Sequence, residues 1–324
     1  MKKIFFAPVF AHAQLLVFYM YTDSMESLPR IVDEAPPKLK DTKFMIFIYN
    51  VFAISALSTA GVAARIALLN VVGKNDFFPQ ATTISVNFIG SFTMGLFVGL
   101  SGFDVAYPFM YNALTVGFCG SFTTFSSWIY AIMHNGNALI EVTTGITMPF
   151  AAFALGTDIA QNITVEVSGR SLSFDKVMVY VTALASVLTL VLLGASNSNG
   201  PTDTITDTDI ISCALGPIGA LTRWGLGILL NNRILSSPEK RTFRLGTLTS
   251  NIIAVIVTGA LQKYGGSTQW TTCVLTGICG SLSTVSSWVA DTVSIYEKVS
   301  KKWAYFYCGI SVSVCVVIMI PFAQ

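Results

Sequence analysis

Residues 117–128 read Gly-Phe-Cys-Gly-Ser-Phe-Thr-Thr-Phe-Ser-Ser-Trp. They return at 277–288 as Gly-Ile-Cys-Gly-Ser-Leu-Ser-Thr-Val-Ser-Ser-Trp, with eight of the twelve positions identical. Both copies sit inside long apolar runs. Glycine weakens a helix, and Ser and Thr hydroxyls compete for its backbone. A patch of both inside an apolar run predicts an interrupted membrane helix, used twice. Freed backbone groups at membrane depth are tolerated only where protein or a water-filled cavity receives them. Unwound carbonyls near Gly120, Thr123, Gly280 and Ser283 would give four hard oxygens, a set suited to sodium. The plain alternative is that small residues merely let helices pack closely.

Other polar residues lie close to these interruptions. Asn87 and Asn251 stand in otherwise apolar runs. An Asn amide carries two N–H donors, so it can hold an anion without burying a fixed positive charge; it can equally serve as interhelical glue. Phe125, Trp128 and Trp288 lie within a turn or so of the interruptions, with Val285 in the place of Phe125 in the second copy. An aromatic edge is electropositive, so edge-on rings suit an anion path; ordinary packing is the default for any one of them. Arg65 and Arg223 are costly against lipid. They either pair structurally or draw anions inward. Glu141 and Asp291 are the remaining acids at membrane depth, suited to proton coupling or to a helix end. Neither has a counterpart in the other copy, since Asp291 matches Ala131.

The elements that must position these residues are membrane helices. The chain has 324 residues, 53% hydrophobic and 11% charged, with mean hydropathy +0.65. A soluble protein would carry roughly 25% charged residues. The net charge of +2 shows no nucleic-acid footprint. The six cysteines form no CxxC pair, and the two histidines join no metal-ligand cluster. A catalytic triad or zinc centre is poorly supplied, and an enzyme is the least supported reading.

Residues 1–43 read as a cytosolic or flexible segment. Spans follow at about 44–70, 81–101, 105–134 and 138–160, each near the ~20 residues that cross a bilayer. Residues 161–209 form a linker with one featureless span at 176–195. Then the order restarts at about 210–231, 243–263, 268–293 and 302–323. Gly61-x-x-x-Arg65 in the first span matches Gly219-x-x-x-Arg223 in the sixth. Thr83-x-x-x-Asn87 matches Thr247-x-x-x-Asn251. The expected fold is an all-α polytopic membrane protein of nine spans. It has two four-helix units, 44–160 and 210–324, each with a broken third helix. One extra crossing between even-numbered units inverts the second. Lys and Arg in short loops mark the cytosolic side. Arg30, Lys38, Lys40, Lys43, Arg170, Lys176, Arg233, Lys240, Arg241, Arg244, Lys298, Lys301 and Lys302 fall on one side, against Lys74 and Lys263 on the other. This places the N-terminus inside and the C-terminus outside. The sequon Asn162-Ile-Thr164 then lies inside, unused.

The Gly-x-x-Gly-x-x-Thr-Thr-Phe-Ser pattern, the preceding Asn helix and the Arg-bearing first helix resemble the fluoride channel family. The resemblance covers about residues 44–324 and is to its fused, two-unit eukaryotic exporter form. It implies an uncoupled passive channel in the plasma membrane that releases cytosolic fluoride, with a structural sodium ion and, because the units are fused, a monomer in lipid. It implies Asn87 and Asn251 as pore asparagines. Phe125 and Trp128, and Val285 and Trp288, fall on the family's paired pore phenylalanines. Gly120, Thr123, Gly280 and Ser283 fall on the sodium's backbone ligands. Ser126, Ser127, Ser286 and Ser287 would extend the polar track, as would Tyr305 and Ser313 in the last span, with Thr144 and Thr147 as loose counterparts. Trp at both second positions and Val285 at one first position depart from the pattern. They imply one competent pore, containing Phe125. The rival readings are a proton-coupled metabolite or drug transporter using Glu141 or Asp291, and a scaffold subunit.

Overall fold

The computed structural model describes residues 43–72, 82–161, 163, 206–234 and 244–323. The N-terminal segment before Lys43, the span at 176–195, and Asn162 and Thr164 of the sequon lie outside the described residues. The regular structure is helical. The order is α1 (Lys43–Val72), α2 (Thr82–Gly99), α3 (108–122), α4 (Phe125–His134) and α5 (Ala138–Ala160), then α6 (Asp207–Gly227), α7 (Leu245–Tyr264), α8 (269–282), α9 (Val285–Lys298) and α10 (Lys301–Met319). Among the described residues, six helical stretches are long and apolar enough to cross a membrane, and α2 is a shorter apolar helix. The chain is a multi-pass membrane protein.

The third helix of each copy is broken where the Gly and hydroxyl patch lies. Thr123 and Thr124 are extended (φ −86°, ψ 156° and φ −142°, ψ 123°), as are Ser283 and Thr284 (φ −89°, ψ 148° and φ −152°, ψ 132°). The turns before each break are already widened into π-helix, at Ala113–Cys119 and Val274–Cys279. Such widening is rare and tends to accompany functional sites. Both helices restart on an N-cap. The Thr124 hydroxyl accepts from Ser127 N–H at 3.4 Å, and Thr284 accepts from Ser287 N–H at 3.2 Å. The Thr-x-x-Ser spacing supplies the cap because the side-chain oxygen of an N-cap reaches the third N–H.

The first helices of the two copies pack against each other. Phe47 stacks on Trp224, while Gly216 meets Val62 and Ser58. Residue numbers rise along α1 as they fall along α6, so the two run antiparallel. Each also receives its own broken helix at a glycine. A Cβ on Gly61 would lie 2.6 Å from the Phe118 carbonyl oxygen, and one on Gly219 would lie 2.3 Å from that of Ile278. In lipid there is little hydrophobic drive between helices, so close backbone approach at small residues carries the packing. The rim is aromatic. Tyr264 and Trp270 are exposed near one pair of helix ends, and Trp303, Tyr305 and Phe306 near another, as membrane-interface belts require.

Candidate functional site

The two breaks meet at the centre and cap each other. The Ser283 hydroxyl accepts from Phe125 N–H at 3.2 Å and Ser126 N–H at 3.1 Å. Reciprocally, the Thr123 hydroxyl accepts from Ser286 N–H at 3.2 Å. Ser126 and Ser286 close the network: Ser283 Oγ donates to Ser126 Oγ at 3.1 Å, and Ser286 Oγ donates to the Cys119 carbonyl at 3.1 Å. Each restarted helix is thus capped once by its own threonine and once by the other copy. Ser127 and Ser287 stand beside this network, half-buried.

Asn87 and Asn251 brace the breaks. Asn87 Oδ1 accepts from Thr124 N–H at 2.9 Å, and its Nδ2 donates to the Thr124 carbonyl at 3.2 Å. Asn251 does the same at Thr284, at 2.8 and 3.2 Å. Each amide keeps a second N–H donor. The Thr124 and Thr284 N–H groups would otherwise close a helix onto the Gly120 and Gly280 carbonyls. Diverting them frees those two oxygens, and the extended Thr123 and Ser283 free two more. This neutral, hard-oxygen set fits a sodium ion by ligand chemistry.

Arg65 and Arg223 are buried and reach across to the opposite copy. Arg223 donates from Nη2 to the Val116 carbonyl at 2.8 Å and from Nε to that of Ser281 at 3.1 Å, so it ties one broken helix to the other. Arg65 donates to the Thr276 carbonyl, and its Nη1 has no partner among the described residues. Their guanidinium groups lie against two glycines of the repeated motif. A Cβ on Gly120 would lie 2.3 Å from Arg223, and one on Gly280 would lie 2.4 Å from Arg65. The Gly-x-x-x-Arg pattern therefore has two uses on one helix face. The glycine admits the helix of its own copy, and the arginine one turn later holds the other copy.

Between the copies lies a sealed aromatic cluster. Phe125 packs edge-to-face with Trp128 at 5.2 Å and with Trp288 at 5.5 Å, and Trp128 and Trp288 are 6.0 Å apart. All three are fully buried, as is Val285. Beside the breaks, a cavity of about 410 Å³ is lined by Arg65, Thr83, Thr124, Ser127 and Gly280 and extends to Lys263 and Ser267. Its lining combines hydroxyls with two cationic side chains, Arg65 and Lys263.

The last span differs from expectation. Tyr305 and Ser313 lie on the exposed face of α10, whereas Tyr307 and Ser311 are buried. Tyr305 and Ser313 share a face, but the interior one is set by Ala304, Tyr307, Ser311 and Cys315. Of the loose counterparts in α5, Thr147 is exposed and Thr144 half-buried, each donating to a carbonyl of its own helix. The acids stand apart from the breaks. Asp291 accepts from Thr247 at 2.5 Å beside Arg244 at 3.6 Å, and Glu141 accepts from Asn135 at 2.8 Å. Sequence reasoning overlooked Thr124 and Thr284, the braced and capping residues themselves, although the Thr-x-x-Ser signal was present in both copies.

A family model described as CrcB-like protein, Camphor Resistance (CrcB), matches residues 52–157 and again 210–321. A protein of Nitrosomonas europaea named Fluoride-specific ion channel FluC is 39% identical over 101 residues, covering 29% of this chain and 75% of that one. A Pseudomonas aeruginosa protein of the same name is 37% identical over the same shares. Fluoride export protein 1 of Neurospora crassa is 29% identical over 252 residues, covering 63% of this chain and 45% of that one. No solved structure matches the chain.

Proposed function

Because the chain belongs to the CrcB-like family, matched in two successive stretches, we propose that it is a passive fluoride-selective channel that lets cytosolic fluoride leave the cell. One observation carries this reading. Each matched stretch contains an Asn-braced break, and the two breaks cap each other across the copies. The names of the bacterial and fungal relatives point the same way.

In this reading the two matched stretches are inverted four-helix units, 44–160 and 210–324. The antiparallel packing of α1 on α6 and the crossed caps support the inversion. A ninth span at 176–195 would perform it. The loop charges place the N-terminus in the cytosol and the C-terminus outside, in the plasma membrane. The vestibule beside Arg65 and Lys263 then opens outward. An inside-negative potential drives an anion out with about 2.3 kcal/mol per 100 mV, so no coupled proton is needed.

An anion is held by neutral donors and ring edges, which bind it firmly enough to strip water and loosely enough to release it. Spare N–H groups of Asn87 and Asn251 and the hydroxyls of Ser127 and Ser287 are the donors. The edge-on cluster of Phe125 with Trp128 and Trp288 is the constriction. Val285 offers no ring edge, so one pore, through Phe125, is competent. Gly120, Thr123, Gly280 and Ser283 would hold sodium through their carbonyls. Such an ion, when bound, would supply a fixed positive charge beside the two breaks. Fusion of the units makes a monomer sufficient.

Growth tests the reading in cells. A host stripped of its own fluoride exporter, expressing this chain, should regain growth in millimolar fluoride. Failure of a correctly inserted protein to restore growth would overturn it.

A further inference from the structure

The two tryptophans that end the repeated motif are equivalent in sequence and unlike in bonding. Trp128 donates from Nε1 to the Glu141 carbonyl at 2.9 Å. Gly145 makes room for that indole, since a Cβ there would lie 2.0 Å from Nε1. Trp288 is equally buried, but among the described residues its Nε1–H has no hydrogen-bond partner. Buried indole N–H groups ordinarily find one, and an orphan in a native fold calls for an explanation. Its surroundings are rings. Phe125 packs edge-on at 5.5 Å and Phe150 at 5.4 Å.

Resting on the fluoride-channel reading, we infer that the Trp288 indole N–H is a direct hydrogen-bond donor to the fluoride ion crossing the Phe125 constriction, whereas Trp128 is a fixed wall. Fluoride is small and a strong hydrogen-bond acceptor. It must be given donors in place of water, and a larger, weaker-accepting halide gains less from one. An indole N–H is donor-only and uncharged, so it binds without trapping the ion as a buried guanidinium would. The electropositive edge of Phe125 completes the site. The inference also gives the single pore a physical basis. The exchange-related pair is Val285 with Trp128, which lacks the ring edge and has its donor already spent.

Two measurements test this. The first is fluoride efflux from liposomes containing the full chain or Trp288→Phe, which keeps a ring and removes the donor. The expected result is at least a tenfold fall in fluoride efflux for the variant, with the protein still eluting as a single folded species. The second uses the wild-type protein with indole ¹⁵N labelling in detergent, titrated with sodium fluoride or sodium chloride. The Trp288 Nε1–H resonance should shift with fluoride and not with chloride, and the Trp128 resonance should stay. If wild-type liposomes release no fluoride, the channel reading falls and this inference with it. If they do, and Trp288→Phe releases it at the same rate or the Trp288 resonance ignores fluoride, the inference alone is overturned. The titration decides the matter if the variant does not fold.

Discussion

Replacing Asn251 with alanine removes two hydrogen bonds at once, from Thr284 N–H to Oδ1 at 2.8 Å and from Nδ2 to the Thr284 carbonyl at 3.2 Å. Neither backbone group can return to a helix, because Ser283 and Thr284 are held extended by the crossed caps. Each is left buried at a cost of about 1–3 kcal/mol, so Asn251→Ala should lose about 2–6 kcal/mol. Asn87→Ala breaks the same pair of bonds at Thr124. Thr124, however, lines the vestibule, where water can take over part of the loss. The second copy should therefore suffer more. The assay is the fraction of purified protein that stays monodisperse after graded heating in detergent. Asn251→Ala should fall by roughly 10 °C and Asn87→Ala by visibly less. If both variants melted like the wild type while fluoride efflux vanished, the asparagines would be ion ligands and not braces, and the bracing account would be wrong.

Gly219→Ala places a Cβ 2.3 Å from the Ile278 carbonyl oxygen and 2.7 Å from Leu282 N, backbone atoms that cannot step aside. It should cost about 1–3 kcal/mol or more and lower the yield of folded protein on size exclusion. Gly145→Ala should displace Trp128 and break its bond to Glu141, read as a shift in tryptophan emission together with slower efflux. Arg223→Lys cannot span the Val116 and Ser281 carbonyls, and should cost about 1–3 kcal/mol in the same heating assay. Substitution of Phe125 should cut fluoride efflux from vesicles far more than substitution of Val285; a larger loss at Val285 would sink the single-pore reading.

Local features were legible in the sequence because they are local. The Gly and hydroxyl patches marked both breaks, and the apolar runs marked α5 at the residues observed, 138–160. The side-chain contacts between the copies were not legible. The sequence could say that Arg65 and Arg223 must avoid lipid. It could not say that each lies against the opposite motif's glycine, because that depends on how the copies cross. The face of α10 failed for another reason. The helix is apolar nearly all round, so Tyr305 with Ser313 and Tyr307 with Ser311 are equally good stripes on paper. Packing against α7 and α9 buries the second pair. The difference between Trp128 and Trp288 was invisible too, since it turns on a carbonyl in α5 and on Gly145 beside it.

Passive fluoride conduction is tested most sharply by efflux from liposomes containing only the purified protein. Potassium and valinomycin would balance charge, with chloride as control and no proton gradient. Fluoride should leave rapidly and chloride should stay. Efflux that appears only under an imposed proton gradient would contradict passive conduction, and would make Glu141 and Asp291 the residues of a coupled transporter.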